Sequence, residues 1–183
     1  MENNQAKITT GKIHLYAGDG KGKTTAAVGL VVRAAGYGLR VMFIQFLKYG
    51  DSSELKVLQN LPNVKVLSGM PTQKFTFVMN EEEKAETKSW CESHLMQGIS
   101  AADEKEIDVL ILDEALGALS TGMLSEQVLL DFLNKKPETL EVVLTGRDPS
   151  QALIEIADYY SEIHAVKHPY NTEKLMARPG IEY

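Results

Sequence analysis

Short apolar runs rich in branched residues recur along the chain, and each has the length of one strand. A run of four to eight apolar residues bounded by polar or turn residues is typical of a strand that is covered on both faces. The pattern predicts five such strands and a weaker sixth. They are Ile13–Ala17, Val41–Phe46, Val64–Leu67, Val109–Leu112, Val142–Leu144 and, as the weaker one, Glu162–Val166.

Segments of helical length separate these runs, namely Thr24–Ala35, Glu81–Lys105, Glu126–Leu133 and Ser150–Tyr159. Asn80 followed by three glutamates indicates a capping box at one helix start. Ser125 and Pro149 mark two further starts. The alternation of strand and helix predicts an α/β fold with a mostly parallel sheet of about six strands and helices on both faces.

The composition indicates one globular domain. The 183 residues are 44% hydrophobic, and 19 Lys and Arg stand against 25 Asp and Glu, which gives a net charge of −6. This balance provides no electrostatic reason to expect a nucleic-acid partner. No repeat or linker-like stretch divides the chain. We therefore interpret residues 1–183 as a single domain.

Cysteine usage and the apolar runs restrict the class of protein further. Cys91 is the only cysteine, so an intramolecular disulfide is excluded, and we expect a buried thiol beside Trp90. The longest small or apolar run, residues 26–32, is far shorter than the roughly 18 residues that suggest a membrane span. The first residues, MENNQAK, lack the apolar core of a secretory signal. We expect a cytoplasmic protein without a membrane partner.

A glycine-rich loop between the first strand and the first helix is the strongest chemical signal. Its residues are Gly18, Asp19, Gly20, Lys21, Gly22, Lys23, Thr24 and Thr25. Glycines let backbone N–H groups converge on an anion, Lys23 offers an ammonium group, and the Thr24 hydroxyl suits a magnesium ion. The strict motif has glycine where this chain has Ala17, so the loop is a variant P-loop. The alternative, a turn without ligand, would crowd two lysines together with no anion.

Two carboxylates, Asp113 and Glu114, follow the buried strand that begins at Val109. Ligands of open α/β sheets bind at the carboxyl ends of strands, and this placement is that of a Walker B element. Such acids hold a nucleotide-bound Mg²⁺ directly or through water. Taken alone, the pair is equally well explained as a helix cap. Together with the glycine-rich loop, it favours a metal-nucleotide site.

Polar residues follow other strands of the predicted sheet. Gln45, Lys48 and Arg147 lie at or after strand ends, where all three can line one crevice. Arg147 has two interpretations of equal weight, a surface ion pair or a phosphate clamp. Arg33 lies further along the first helix, where spacing alone favours solvent exposure.

The stretch from Ser68 to Asn80 carries two phenylalanines, Phe75 and Phe77. Aromatic residues on a loop suit a flat ligand. The alternative, which residue frequencies favour, is a short strand whose phenylalanines alternate and pack on the core.

Signals for other active-site chemistries are missing from the sequence. The four histidines, at positions 14, 94, 164 and 168, have no zinc-ligand spacing, and no GxSxG motif is present. The reacting groups are therefore expected to belong to the substrates and not to a protein nucleophile.

The chain resembles the P-loop type of ATP:corrinoid adenosyltransferase from about Ile13 to Tyr183. The matching blocks are residues 18–27 (GDGKGKTTAA), 33–38 (RAAGYG), 44–48 (IQFLK), 112–114 (LDE), 144–147 (LTGR), 157–158 (AD), 166–169 (VKHP) and 180–183 (GIEY). A P-loop is widespread and indicates only nucleotide binding, whereas these blocks in this order are typical of far fewer families.

The resemblance implies that ATP and a reduced corrinoid, cob(I)alamin or another, are the substrates. Co(I) would attack the 5′ carbon of the ribose and triphosphate would leave whole, with Mg²⁺ or Mn²⁺ bound to the nucleotide. It also implies a homodimer, a flavin-dependent reductase as electron donor, and a nucleotide that lies reversed relative to other P-loop proteins.

By this resemblance, the glycine-rich loop holds the triphosphate, and Thr24, Asp113 and Glu114 serve the metal. Lys23, Glu114 and Arg147 are the candidate catalytic residues, and Arg33, Gln45 and Lys48 join the candidate nucleotide contacts. Phe75 and Phe77 match a family loop that packs against the corrin, although the family commonly has tryptophan at the second position. The runner-up hypothesis is a nucleotide-dependent switch that hydrolyses ATP or GTP, with Glu114 positioning water.

Overall fold

Six parallel strands form one sheet in the computed structural model, which describes residues 7–183. The strands are β1 (Ile13–Ala17), β2 (Val41–Gln45), β3 (Val64–Leu67), β4 (Val109–Asp113), β5 (Glu141–Gly146) and β6 (Tyr159–Glu162). Their order across the sheet is β3-β2-β4-β5-β1-β6, and every neighbouring pair is parallel. The predicted α/β class is confirmed.

Seven helices and one 3₁₀ turn connect these strands within the described residues. They are α1 (Lys23–Tyr37), α2 (Leu55–Leu58), the 3₁₀ turn Thr76–Val78, α3 (Glu81–Asp103), α4 (Ala115–Ser120), α5 (Glu126–Lys135), α6 (Gln151–Ile156) and α7 (Pro169–Glu173). The four helices that the sequence predicts are present. The short helices α2, α4 and α7 escape sequence analysis because four to six residues are too few to show a helical period.

Alternation along the strands builds one apolar core on each face of the sheet. In β4, Leu110 and Leu112 face the larger core, together with Leu95 of α3 and Leu129 of α5. The intervening residues, Ile111 among them, face a second core that α1 covers. Successive strand residues point to opposite faces, so a strand buried on both sides reads as a continuous apolar run. This is why the central strands are recognisable in the sequence.

The strand register brings four carboxyl ends to one edge of the sheet. Ala17 of β1 lies opposite Gly146 of β5, and Gln45 of β2 lies opposite Asp113 of β4. The loops that leave these strands therefore meet at a common edge, which is where open α/β sheets bind ligands.

The sixth strand lies earlier in the chain than the sequence predicts. It spans Tyr159–Glu162 and not Glu162–Val166, and the preceding helix ends at Ile156 and not at Tyr159. All four residues of β6 are solvent-exposed, so there is no buried apolar run to mark this strand in the sequence. The residues that follow, from Ile163 to Ala165, pack instead against the glycine-rich loop.

Cys91 is buried, as predicted, and burial raises the pKa of its thiol to about 12. No helix within residues 7–183 combines the length and the apolarity that a membrane crossing needs. The interpretation of the first six residues as part of a non-signal N-terminus lies outside the described residues.

The capping box at the start of α3 is confirmed and supports a stability prediction. The Asn80 side chain accepts a hydrogen bond from the Glu83 amide at 2.9 Å, and the Glu83 carboxylate accepts one from the Asn80 amide at 3.0 Å. Asn80→Ala should lower the free energy of unfolding by about 1 kcal/mol, because a helix amide loses its partner. Urea denaturation measures this change. Asn80→Ser keeps a capping oxygen and should stay near wild type; equal losses in both variants would contradict the capping role.

Candidate functional site

The glycine-rich loop is shaped by its own glycines and by the chain segment after β6. Gly18 and Gly22 have φ angles of 117° and 123°, a region that side chains disfavour. A Cβ atom at Gly18 would lie 2.4 Å from the Ile163 carbonyl oxygen. The Gly20 amide donates a hydrogen bond of 2.8 Å to that same oxygen. Glycine is therefore required here both for the turn and for the close approach of the neighbouring backbone.

Asp19 holds the loop to the same segment. Its carboxylate accepts a hydrogen bond of 3.0 Å from the Ala165 amide, and this bond is the main reason that the pKa of Asp19 is lowered. The side chain thus contacts the protein and does not line the adjoining cavity. A direct contact of Asp19 with nucleotide stays a prediction.

A cavity of about 590 Å³ opens over the loop and the start of α1. The loop residues that line it are Gly20, Lys21, Gly22, Lys23, Thr24 and Thr25. The Lys23 ammonium group donates a hydrogen bond of 2.7 Å to the Gly20 carbonyl, and burial lowers the pKa of this lysine. Two lysines and a helix start in one concave surface form a site suited to a polyanion.

Asp113 is completely buried at the end of β4 and accepts hydrogen bonds from four side chains. One carboxylate oxygen receives the hydroxyl groups of Thr24 at 2.8 Å and Thr145 at 2.7 Å. The other receives the Gln45 amide at 3.2 Å and the Lys48 ammonium group at 3.3 Å. This carboxylate therefore connects the glycine-rich loop with β2 and β5. The sequence predicts that Asp113 belongs to a metal site, and it gives no sign of this structural role.

Glu114 follows directly and lines the cavity. Its backbone has a φ of 60°, and its amide donates to the Thr145 hydroxyl at 2.9 Å. Burial, and secondly the charge of Asp113, raise the pKa of the Glu114 carboxyl group. A carboxylate whose ionised form is disfavoured gains from a nearby cation.

The donor set fits a hard divalent cation that arrives with a nucleotide. Thr24 supplies a hydroxyl and Glu114 a carboxylate, while Mg²⁺ usually takes its remaining ligands from phosphate oxygens and water. The described residues contain no group of three or more His, Cys, Asp or Glu side chains able to hold a metal by themselves. The ion would therefore be held jointly by protein and nucleotide.

The other predicted nucleotide contacts differ in whether they line this cavity. Lys48 lines it, whereas Gln45 is buried behind Asp113. Arg147 follows Gly146 at the end of β5, is exposed, and lies close enough for its charge to act on Lys23 and Glu114. Arg33 is exposed on α1, as its spacing predicts, and is not among the residues that line the cavity, so its contact with nucleotide stays a prediction.

The two loop phenylalanines do not form the predicted core-packed strand. Phe75 directly precedes the 3₁₀ turn and Phe77 lies within it, and the two side chains are 68% and 81% exposed. Their rings stack on each other with centroids 5.6 Å apart and planes 8° apart. Two methionines of the same loop, Met70 and Met79, are buried and anchor it. Anchoring by the methionines leaves the phenylalanine pair free to present an apolar surface.

Residues that sequence analysis did not assign also line the cavity. They are Val28, Ser53, Glu54, Val57 and the segment Gly180–Tyr183. Val57 belongs to the short α2 and gives no sequence signal. The last segment is one of the family-like blocks, and that similarity was the only available clue.

Comparison with known proteins identifies a family to which this chain is similar over nearly its whole length. The family model described as ATP:corrinoid adenosyltransferase BtuR/CobO/CobP matches residues 9–183. The corrinoid adenosyltransferase CobA of Salmonella typhimurium is 32% identical over 180 residues, which cover 98% of this chain and 89% of the relative. The corrinoid adenosyltransferase of Escherichia coli K12 is 29% identical with the same coverage.

The chain is also similar to a longer relative and to a solved structure. An uncharacterized protein of Nostoc is 34% identical over 94% of this chain, and the chain spans about half, 48%, of that relative's length. The solved cytoplasmic domain of EssC superposes with a TM-score of 0.54 at 16% identity, over 94% of this chain and 37% of that one. The second similarity concerns the fold alone.

The raised pKa of Glu114 predicts how stability depends on pH in the nucleotide-free protein. The unfolded chain loses the Glu114 proton at a pKa of about 4.3, whereas the folded protein keeps it to a higher pH. The free energy of unfolding therefore falls as pH rises from the unfolded to the folded pKa. Glu114→Gln cannot ionise. Its melting temperature should therefore rise relative to wild type as pH increases above the unfolded-chain pKa of about 4.3.

Glu83→Gln is the matched control with the opposite sign. Lys74 and the Asn80 amide lower the pKa of Glu83, so its charge contributes stability that is lost as pH falls. This variant should lose melting temperature relative to wild type as pH rises toward the unfolded-chain pKa of about 4.3, and the difference should stay constant at higher pH. A pH-independent difference for Glu114→Gln would contradict the burial argument.

Proposed function

The chain belongs to the ATP:corrinoid adenosyltransferase family, and from this premise we propose that it transfers the 5′-deoxyadenosyl group of ATP to the Co(I) centre of a reduced corrinoid and releases triphosphate. The observation that carries the proposal is the single cavity in which Lys21, Lys23, Thr24 and Glu114 meet. This cavity fits a triphosphate with its metal ion at the ligand-binding edge of the sheet.

In the proposed reaction, the electron pair of Co(I) forms a bond to the 5′ carbon of the ribose. The bond between this carbon and the phosphate oxygen breaks, and its electron pair leaves with the triphosphate. Because the corrinoid is itself the nucleophile, no serine or cysteine of the protein is needed. The task of the chain is to hold both substrates in line and to stabilise the anion that leaves.

The cationic residues around the loop stabilise the negative charge of the leaving triphosphate. Lys21 and Lys23 offer ammonium groups, and Arg147 stands near enough to add a third positive charge. Charge that grows on the triphosphate as the bond breaks is best stabilised by groups already in position. A bound magnesium or manganese ion, held by Thr24 and Glu114, would neutralise further charge. Asp113 positions Thr24 and Lys48 for this purpose.

The stacked pair Phe75 and Phe77 is proposed to contact the corrin. Both rings are exposed although both are strongly apolar, a pattern that marks a binding surface. Contact with the macrocycle would exclude a lower ligand from cobalt and so favour the Co(I) state. This assignment keeps the corrin apart from the residues that bind ATP.

The remaining proposals follow from the family premise. We propose that residues 1–183 work as one domain, that two copies form a homodimer, and that a flavin-dependent reductase supplies the electron. A cytoplasmic location is proposed on the same basis.

An anaerobic assay with ATP, Mg²⁺ and chemically reduced cobalamin tests the reaction. The expected result is loss of the Co(I) absorbance, a light-sensitive product with a cobalt–carbon bond, and one inorganic triphosphate per product. Release of phosphate with unchanged corrin bands would contradict adenosyl transfer. It would instead support a nucleotide-hydrolysing switch.

Lys23→Ala should lower the rate of adenosylation about 100-fold, which is the scale of losing one preorganised donor to a developing anion. Single-turnover kinetics at saturating ATP give this rate. Lys88→Ala, which removes an exposed lysine of α3, is the control and should react like wild type. Near-normal turnover by Lys23→Ala would refute the triphosphate assignment.

Phe77→Ala should raise the apparent KM for the corrinoid about tenfold while leaving the Kd for ATP unchanged, because the ring serves the corrin alone. Steady-state kinetics and calorimetry measure the two quantities. Tyr37→Ala removes another exposed aromatic ring, at the far end of α1, and serves as the control. A matched loss of ATP binding would show that the phenylalanine loop is not a separate corrin surface.

A further inference from the structure

The segment from Arg178 to Tyr183 forms a closed turn beside the glycine-rich loop. The amides of Ile181 and Glu182 both donate to the Arg178 carbonyl, and the Gly180 amide donates to the Tyr183 carbonyl at 2.7 Å. The Ser53 hydroxyl donates to the same Tyr183 oxygen at 3.1 Å. These contacts hold the turn against the residues before α2, so that it forms one wall of the cavity.

The charged residues of this turn neutralise each other. The Arg178 guanidinium group binds the Glu182 carboxylate at 3.1 and 3.2 Å, and the Arg178 amide donates to it at 2.8 Å. This pairing lowers the pKa of Glu182, and the nearby charge of Lys21 lowers it further. Because its one arginine is engaged, the turn brings no free cation to the cavity. Its contribution to a bound triphosphate is therefore not electrostatic attraction.

The turn contributes apolar surface instead. Ile181 is 55% exposed and Tyr183 is 45% exposed, and both line the cavity. Val28 of α1 and the exposed Val57 of α2 line it as well. We call these four residues the apolar wall. Exposed apolar side chains that converge on one concave surface are typical of a ligand-binding pocket.

We propose that the apolar wall binds the purine base of ATP while the glycine-rich loop binds its triphosphate. Val28 stands four residues after Thr24 on α1, which is about 6 Å along the helix. A nucleotide that is held at the loop thus has its base within reach of this wall. The flat faces of a purine are apolar, and both Tyr183 and the branched side chains suit them. The inference rests on the proposed function, which brings ATP to this cavity.

A corrin is the poorer occupant of this wall. Phe75 and Phe77, the exposed aromatic surface proposed for the macrocycle, are not among the residues that line the cavity. In this arrangement Ile181 and Tyr183 act as positioning residues: by holding the base, they orient the 5′ carbon that the nucleophile attacks.

Two ligands separate base binding from phosphate binding. The Kd values of Mg²⁺-ATP and of Mg²⁺ with inorganic tripolyphosphate are measured by calorimetry for wild type, Ile181→Ala and Tyr183→Ala. We expect each variant to bind ATP about tenfold more weakly, the scale of removing apolar contacts from a pocket, and tripolyphosphate as tightly as wild type. Met176→Ala, an exposed apolar residue outside the cavity lining, should change neither Kd.

Other outcomes overturn the inference in recognisable ways. Unchanged ATP binding in both variants would mean that the base lies elsewhere. Equal weakening for ATP and tripolyphosphate would mean that the turn supports the phosphate loop and not the base, and tighter binding of both would mean that it obstructs the cavity. If wild-type protein binds neither ligand, the proposed function itself fails, and this inference fails with it.

Discussion

The buried carboxylate of Asp113 is the contact on which the rest of the site depends. Burying a carboxyl group is costly unless polar partners surround it, and here four side chains do so. They come from α1, β5, β2 and the loop after β2. Each of these elements carries another part of the site. The carboxylate thereby sets the spacing between the glycine-rich loop, Lys48 and Glu114.

The two acidic residues at the end of β4 consequently have different tasks. Asp113 is saturated with donors from the protein, whereas Glu114 faces the cavity with a raised pKa. The two residues are consecutive, and Glu114 has a left-handed backbone directly after the strand while its side chain lines the cavity. Of these two adjacent carboxylates, only that of Glu114 is therefore available to a ligand in the cavity.

Much of this arrangement could be predicted from the sequence, because the central strands are buried on both faces and the loop has a distinctive composition. The failures were at solvent-exposed segments. β6 is wholly exposed, so its position could not be found from apolar runs, and the phenylalanines at 75 and 77 face solvent although their residue type favours burial. Ile181 and Tyr183 line the cavity because distant parts of the chain come together in the fold. No local pattern encodes it.

The bond between Gly20 and Ile163 also bears on how the protein folds. The glycine-rich loop follows the first strand, but its shape depends on backbone that comes after the sixth, and β1 is hydrogen-bonded to Asp158 across a separation of 145 residues. Contacts between such distant segments form late, since loop closure must precede them. During synthesis the glycine-rich loop is thus among the first segments to leave the ribosome and among the last to acquire its native shape.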